Sequence, residues 1–111
     1  MWHNPRRSKS REGLKYLQGK EVEFEVFEYM KEKINPIELA EIIKMSDQPL
    51  NGFVRTDEKE YKQLGLNSKE LTVEEFARIA AEHPKLLQRP IIIKGDKAVM
   101  ARPASKIDDI L

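Results

Sequence analysis

Apolar side chains recur along this chain with two different periods, and the changes of period divide it into segments. From Ser8 to about Gln18, Leu14 and Leu17 share one face of a helical pattern that Gly19 ends. Gly13 inside that pattern lowers helix propensity and suggests close packing. Glu21-Val22-Glu23-Phe24-Glu25-Val26-Phe27 then alternates strictly, predicting a half-buried strand with Val22, Phe24 and Val26 on one face. Its glutamates read as solvent-facing charge.

From Ile34 to His83 the pattern is helical. Asn35-Pro36 supplies a cap and a first-turn proline for a helix over Ile37 to Met45. Gln48-Pro49-Leu50-Asn51-Gly52 breaks the chain. Thr56 is placed to cap a short helix through Lys62, closed by Gly65. Thr72-Val73-Glu74-Glu75 has capping-box spacing and introduces a helix with Val73, Phe76, Ile79 and Ala80 on one side. His83-Pro84 ends it, with His83 reading as a helix-end residue rather than a ligand.

The last segment changes character again. Ile91-Ile92-Ile93 is a continuous β-branched run, expected of a strand covered on both faces. Lys94-Gly95-Asp96-Lys97 makes a turn and Ala98-Val99-Met100 returns, giving a hairpin. Ser105, with Asp108 three residues on, reads as the cap of a closing helix, Lys106–Leu111. The order βα–β–helices–ββ–α predicts an α/β, thioredoxin-like mixed four-stranded sheet. Its first two strands would run parallel through a crossover helix. The expectation is one domain over 1–111, with a helical insertion at about 34–84. The first strand is barely present, since only Met1 and Trp2 precede His3.

Composition narrows the chemistry. The chain has 111 residues, 40% hydrophobic and 35% charged, the balance of a globular rather than a disordered chain. Twenty basic against nineteen acidic side chains give a formal charge of +1, so no general attraction to nucleic acid or membrane is implied. No apolar run approaches bilayer length and no signal peptide is evident, which makes the cytoplasm the default expectation. There is no cysteine, hence no disulfide, no thiolate metal site and no cysteine nucleophile. The two histidines, His3 and His83, are too few and too far apart for a zinc site.

The charge bias is local. Met1-Trp2-His3-Asn4-Pro5-Arg6-Arg7-Ser8-Lys9-Ser10-Arg11 reads as a strand–turn–helix junction carrying four cations, Arg6, Arg7, Lys9 and Arg11. A helix N-terminus presents unpaired backbone N–H groups and partial positive charge, so such a junction suits an anion. Ser8 and Ser10 are placed to cap the first turn or to donate to a bound oxyanion. A frayed basic tail is the plainer account of the same residues. Arg55, Arg89 and Arg102 stand far apart in sequence, the last two immediately before prolines. They read either as unrelated surface arginines or as one set of guanidinium forks for a tetrahedral oxyanion.

His3-Asn4-Pro5-Arg6-x-Ser8-Lys9-Ser10-Arg11 resembles the active-site loop of the glutaredoxin-linked arsenate reductase family, which also includes the Spx-type regulators. Tyr61-Lys62-x-Leu64-Gly65-Leu66, His83-Pro84, Arg89-Pro90 and Arg102-Pro103 follow in the family's order. The resemblance implies that position 7 is where the family carries its cysteine nucleophile, with His3 and Ser10 beside it. Here position 7 is Arg7. It also implies that Arg55, Arg89 and Arg102, with Arg11 nearby, hold the oxyanion, and that Pro90 is a cis-proline facing the nucleophile. Family members bind no cofactor; glutathione and glutaredoxin supply electrons through the cysteine.

A guanidinium is not deprotonated in proteins and offers no lone pair, so Arg7 cannot replace a thiolate. Hydroxyls do not cycle through disulfides, so neither Ser8 nor Ser10 can. Three readings follow: a reductase lineage varied at its nucleophile, a non-catalytic binder of arsenate or another small oxyanion, or an Spx-like module that binds RNA polymerase. The last would lack redox control, because Arg7 and Ser10 occupy the positions of the regulators' Cys-x-x-Cys pair. No DNA contact, metal or membrane partner is expected.

Overall fold

The structure, a computed structural model, describes residues 1–68 and 70–111; Lys69, inside the expected insertion, lies outside the described residues. The first helix, α1, spans Ser8–Gln18 and buries Gly13 and Leu17. At Gly13 an added Cβ would sit 2.6 Å from Pro90 Cγ, so the helix can approach that proline only because no side chain intervenes. α2 spans Pro36–Met45, where the Asn35 side chain accepts from the N–H groups of Ile37 and Glu38. The capping box forms as the spacing predicts: Thr72 and Glu75 exchange hydrogen bonds ahead of the helix Val73–Glu82.

Strands β1 (Ile91–Lys94) and β2 (Lys97–Met100) form an antiparallel hairpin in the register Ile91↔Met100, Ile92↔Val99. Gly95 turns it with φ +60°, a conformation that favours glycine. The hairpin separates two apolar clusters. Ile91, Ala98 and Met100 join Trp2, Phe53, Phe76 and the α2 side chains, while Ile92 and Val99 face Leu17 and Ile107. The unbroken isoleucine run is thus covered on both sides, because the helices pack on one face and α1 with the C-terminal turn packs on the other.

Three expectations are corrected. The four-stranded sheet is a two-stranded ladder extended by single bridges. Trp2 pairs antiparallel with Ile91 and parallel with Phe27, and the contact reaches back along Glu21–Phe27 as far as Glu25, whose carbonyl accepts from the Met1 ammonium at 2.8 Å. Met1 and His3 complete the bonds to Phe27, after which Asn4-Pro5 turns the chain away, leaving Val22 and Val26 exposed and Phe24 only half-buried. Second, the short helix α3 is Lys59–Gln63 and follows Glu58, not Thr56. Arg55 N–H is held by the Leu86 carbonyl at 2.8 Å, which keeps the preceding segment extended. Third, the closing helix is a 3₁₀ turn at Ala104–Asp109 without a serine cap. Its Asp108 carboxylate is taken by Tyr16 Oη (2.7 Å) and Lys20 Nζ (2.9 Å), which tie the turn to α1 and its C-terminal end. With these corrections the helix following Thr72 is α4.

Candidate functional site

The loop between Trp2 and α1 is built around one buried serine. Ser10 is fully buried; its Oγ accepts from Asn4 N–H at 2.8 Å and lies 2.7 Å from His3 Nδ1. Ser10 therefore braces the loop from below instead of capping the helix. Arg7 occupies the N-cap position with extended backbone and no side-chain cap bond. Among the described residues, the Ser8 and Lys9 N–H groups at the start of α1 find no backbone acceptor. Arg11 donates to the Pro5 carbonyl at 3.0 Å, so its guanidinium closes the loop.

Burial holds His3 below its ordinary pKa of 6.5; Glu28 opposes the shift, and Arg11 and the N-terminal ammonium reinforce it. Folded His3 therefore takes a proton less readily than unfolded His3, and the unfolded state binds more protons as pH falls below 6.5. Its contribution to stability is complete above that pH and is lost progressively below it. Urea unfolding between about pH 7 and pH 5 is expected to show this loss, and His3→Gln to flatten it. Equal pH slopes for the two proteins would contradict it.

Backbone pairing gathers the distant arginines along Leu86–Pro90. Val54 bridges Leu87, and Gln88 N–H donates to the Phe53 carbonyl at 2.8 Å, which sets Arg55 beside this segment. On the other side Ala101 N–H donates to the Pro90 carbonyl at 3.0 Å and brings Arg102 alongside. The Arg89–Pro90 and Arg102–Pro103 peptides are both cis. Gln88 Oε1 accepts from Arg102 Nη1 at 3.0 Å and from Arg89 Nη1 at 3.3 Å.

Arg89 is the buried member, 7% exposed, and among the described residues its Nε has no partner. Burial lowers its pKa from the ordinary arginine value; the charges of Arg55, Arg7 and Arg102 push the same way, and Tyr29 opposes them. Those couplings place Arg7, Arg55 and Arg102 within electrostatic range of one buried guanidinium. Arg55 is partly neutralised by Glu58, three residues on. Tyr29, 2% exposed, has its pKa raised by burial, against the pull of Arg89, Asn4, Arg55 and Arg7.

Arg7 and Arg55 line the same open cavity of about 540 Å³, together with Arg6, Glu28, Tyr29 and Lys85. Arg102 lines a separate cavity of about 260 Å³ with Gln88 and Lys106. The residues singled out in the sequence thus fall into three places. Arg7 and Arg55 line the larger of these two cavities, Arg102 lines the smaller, and Arg89 lies buried outside both linings. His3, Ser10 and Arg11 support the loop. Gln88, Glu58 and Tyr29 were not anticipated. Glu58 stands at i+3 from Arg55, and Gln88 adjoins Arg89, but neither spacing distinguishes a site residue from any polar neighbour. No group of three His, Asp or Glu suited to a metal occurs among the described residues.

A parallel bridge through a crossover helix, an antiparallel hairpin and helices between them define an α/β protein of thioredoxin-like build. The chain belongs to the ArsC family, whose model matches residues 2–110. It is similar to an arsenate reductase of Neisseria meningitidis, 36% identical over 112 residues that cover all of this chain and 96% of the relative. It is also similar to the regulatory protein MgsR of Bacillus subtilis, 31% identical over 77% of this chain and 68% of the relative. Among solved structures, arsenate reductase from Vibrio cholerae superposes with a TM-score of 0.90 at 32% identity, covering 99% of this chain and 94% of that one.

Proposed function

We propose that this chain uses the arsenate reductase scaffold to bind a tetrahedral oxyanion without reducing it. The observation that carries the reading is Arg89: a buried guanidinium with an unpartnered Nε, within range of three further arginine charges. A buried donor left unpaired costs about 1–3 kcal/mol, and more for a charged group, which a bound anion would recover. The N–H groups of Ser8 and Lys9 and the dipole of α1 add donors beside Arg7. Arsenate, phosphate and sulfate fit this chemistry because a guanidinium fork matches two oxygens of a tetrahedral anion.

Reduction is a separate requirement. It needs a nucleophile that forms and breaks a bond to arsenic, and position 7 carries a permanent cation in a chain of 111 residues without cysteine. Arg7 instead contributes charge to the oxyanion. At about ten times its dissociation constant, arsenate, phosphate or sulfate is expected to raise the melting temperature by about 5 °C over chloride at equal ionic strength. Assays with glutathione, glutaredoxin and arsenate are expected to show no turnover. A melting temperature indifferent to all three anions would remove the binding reading.

The similarity to MgsR supports a second reading, a regulator that contacts RNA polymerase. In that case RNA polymerase is expected to co-purify with the chain in stoichiometric amount from a native lysate. Its absence would leave the oxyanion reading alone.

A further inference from the structure

We infer that the occupant of the main cavity is an organic phosphate, a phosphomonoester with a short apolar body, rather than a bare oxyanion. The inference rests on the oxyanion-binding reading and adds a class of ligand to it. Size is the first argument. A cavity of about 540 Å³ falls in the range of pockets that enclose small organic molecules, about 300–1,000 Å³, and leaves most of its volume empty around a single tetrahedral anion.

The lining is the second argument. Beside the cations stand Pro5, the half-buried Met30 and the ring of the buried Tyr29, an apolar strip in which the Tyr29 hydroxyl alone could serve an inorganic anion. Met30 packs against the large apolar cluster, so the strip is anchored to the fold. A methionine thioether beside an aromatic ring is a favourable contact, and a flat body would find one here.

Charge is the third argument. Of the five cations in the lining, Arg55 is paired with Glu58 and Lys31 lies 3.7 Å from Glu28. Among the described residues, Arg6, Arg7 and Lys85 have no ion-pair partner. A phosphomonoester is close to a dianion at neutral pH and places three acceptor oxygens at one end of an apolar group. It matches unpaired cations and an apolar strip in one cavity; inorganic phosphate matches only the first.

The test is calorimetric titration of the full chain with inorganic phosphate, phenyl phosphate and phenol in the same buffer. Phenyl phosphate is expected to bind about tenfold tighter than phosphate, with phenol alone showing no binding, and Met30→Ala to shrink that ratio. If phosphate and phenyl phosphate bind equally, the organic subsite is overturned while the oxyanion reading stands. If neither binds, both fall. If phenol binds as tightly as phenyl phosphate, the anion is not the anchor and the inference is again overturned. The ratio in the unsubstituted chain decides the matter even if Met30→Ala does not fold.

Discussion

Arg7→Cys is expected to give a protein with a thiol that titrates below about 7.5 and that reduces arsenate when glutathione and glutaredoxin are supplied. The ordinary cysteine pKa is about 8.5, and helix N-termini and neighbouring cations lower it because both favour the thiolate. Both are present here. Residue 7 immediately precedes α1, where among the described residues the Ser8 and Lys9 N–H groups find no backbone acceptor, and the residue lines the same cavity as Arg55. The bracing below is independent of the residue 7 side chain, since His3 Nδ1 and Asn4 N–H both meet Ser10 Oγ. The substitution therefore changes the group at the cavity without dismantling its support. It also removes a cation from the neighbourhood of Arg89, where like charges already disfavour the protonated guanidinium. Thiol titration by absorbance and a coupled reductase assay read the two outcomes. A thiol of ordinary pKa with no turnover would mean that the cleft no longer supports the family's chemistry.

Arg89→Ala is expected to weaken arsenate and phosphate binding by at least about tenfold, the loss of charge-assisted hydrogen bonds worth about 1.5–3 kcal/mol. The other arginines sit nearer solvent, and Arg55 already has a carboxylate partner, so they cannot fully compensate. Arg89→Lys should recover only part of the affinity. An ammonium restores the charge but not the flat fork, and its shorter reach leaves the position of Nε empty. Equal binding by the Ala variant and the parent would place the anion elsewhere. Equal binding by the Lys variant would mean that charge alone matters.

The helices were legible because each carries its own signal. The Asn35 cap with Pro36, the Thr72–Glu75 box and the three-residue spacing of Leu14 and Leu17 are local features, and local hydrogen bonds realise them. The hairpin was legible for the same reason, a glycine turn between apolar runs. Alternation over Glu21–Phe27 misled because it records which faces differ in polarity but not whether a partner strand runs alongside. Among the described residues the pairing takes in Glu25 and Phe27 alone, and the glutamates and valines before Phe27 are exposed alike. The Asp108 carboxylate was equally unreadable as a tertiary partner: it lies 92 residues from Tyr16, a contact no local pattern encodes.

The candidate site divides along the same line. Arg7, Arg55, Arg89 and Arg102 could be named from their motifs, and backbone pairing to the Leu86–Pro90 segment brings the last three together. Their inequality could not be read. Arg89 is buried with a nitrogen that has no partner among the described residues, Arg102 is engaged by Gln88 and faces a second cavity, and Arg11 places one of its five N–H donors on the Pro5 carbonyl. Burial and hydrogen-bond partners, which depend on the whole fold, make one arginine of this set the centre and the others its surroundings.

On the reading proposed above, the cluster around Arg89 holds a tetrahedral oxyanion. It is tested most directly by titrating arsenate into the full chain in a calorimeter, beside Arg89→Ala under the same conditions. Saturable binding at one site is expected in the parent, weakened at least about tenfold in the variant. Absence of heat in the parent under conditions where it is folded, or identical isotherms for the two proteins, would contradict it.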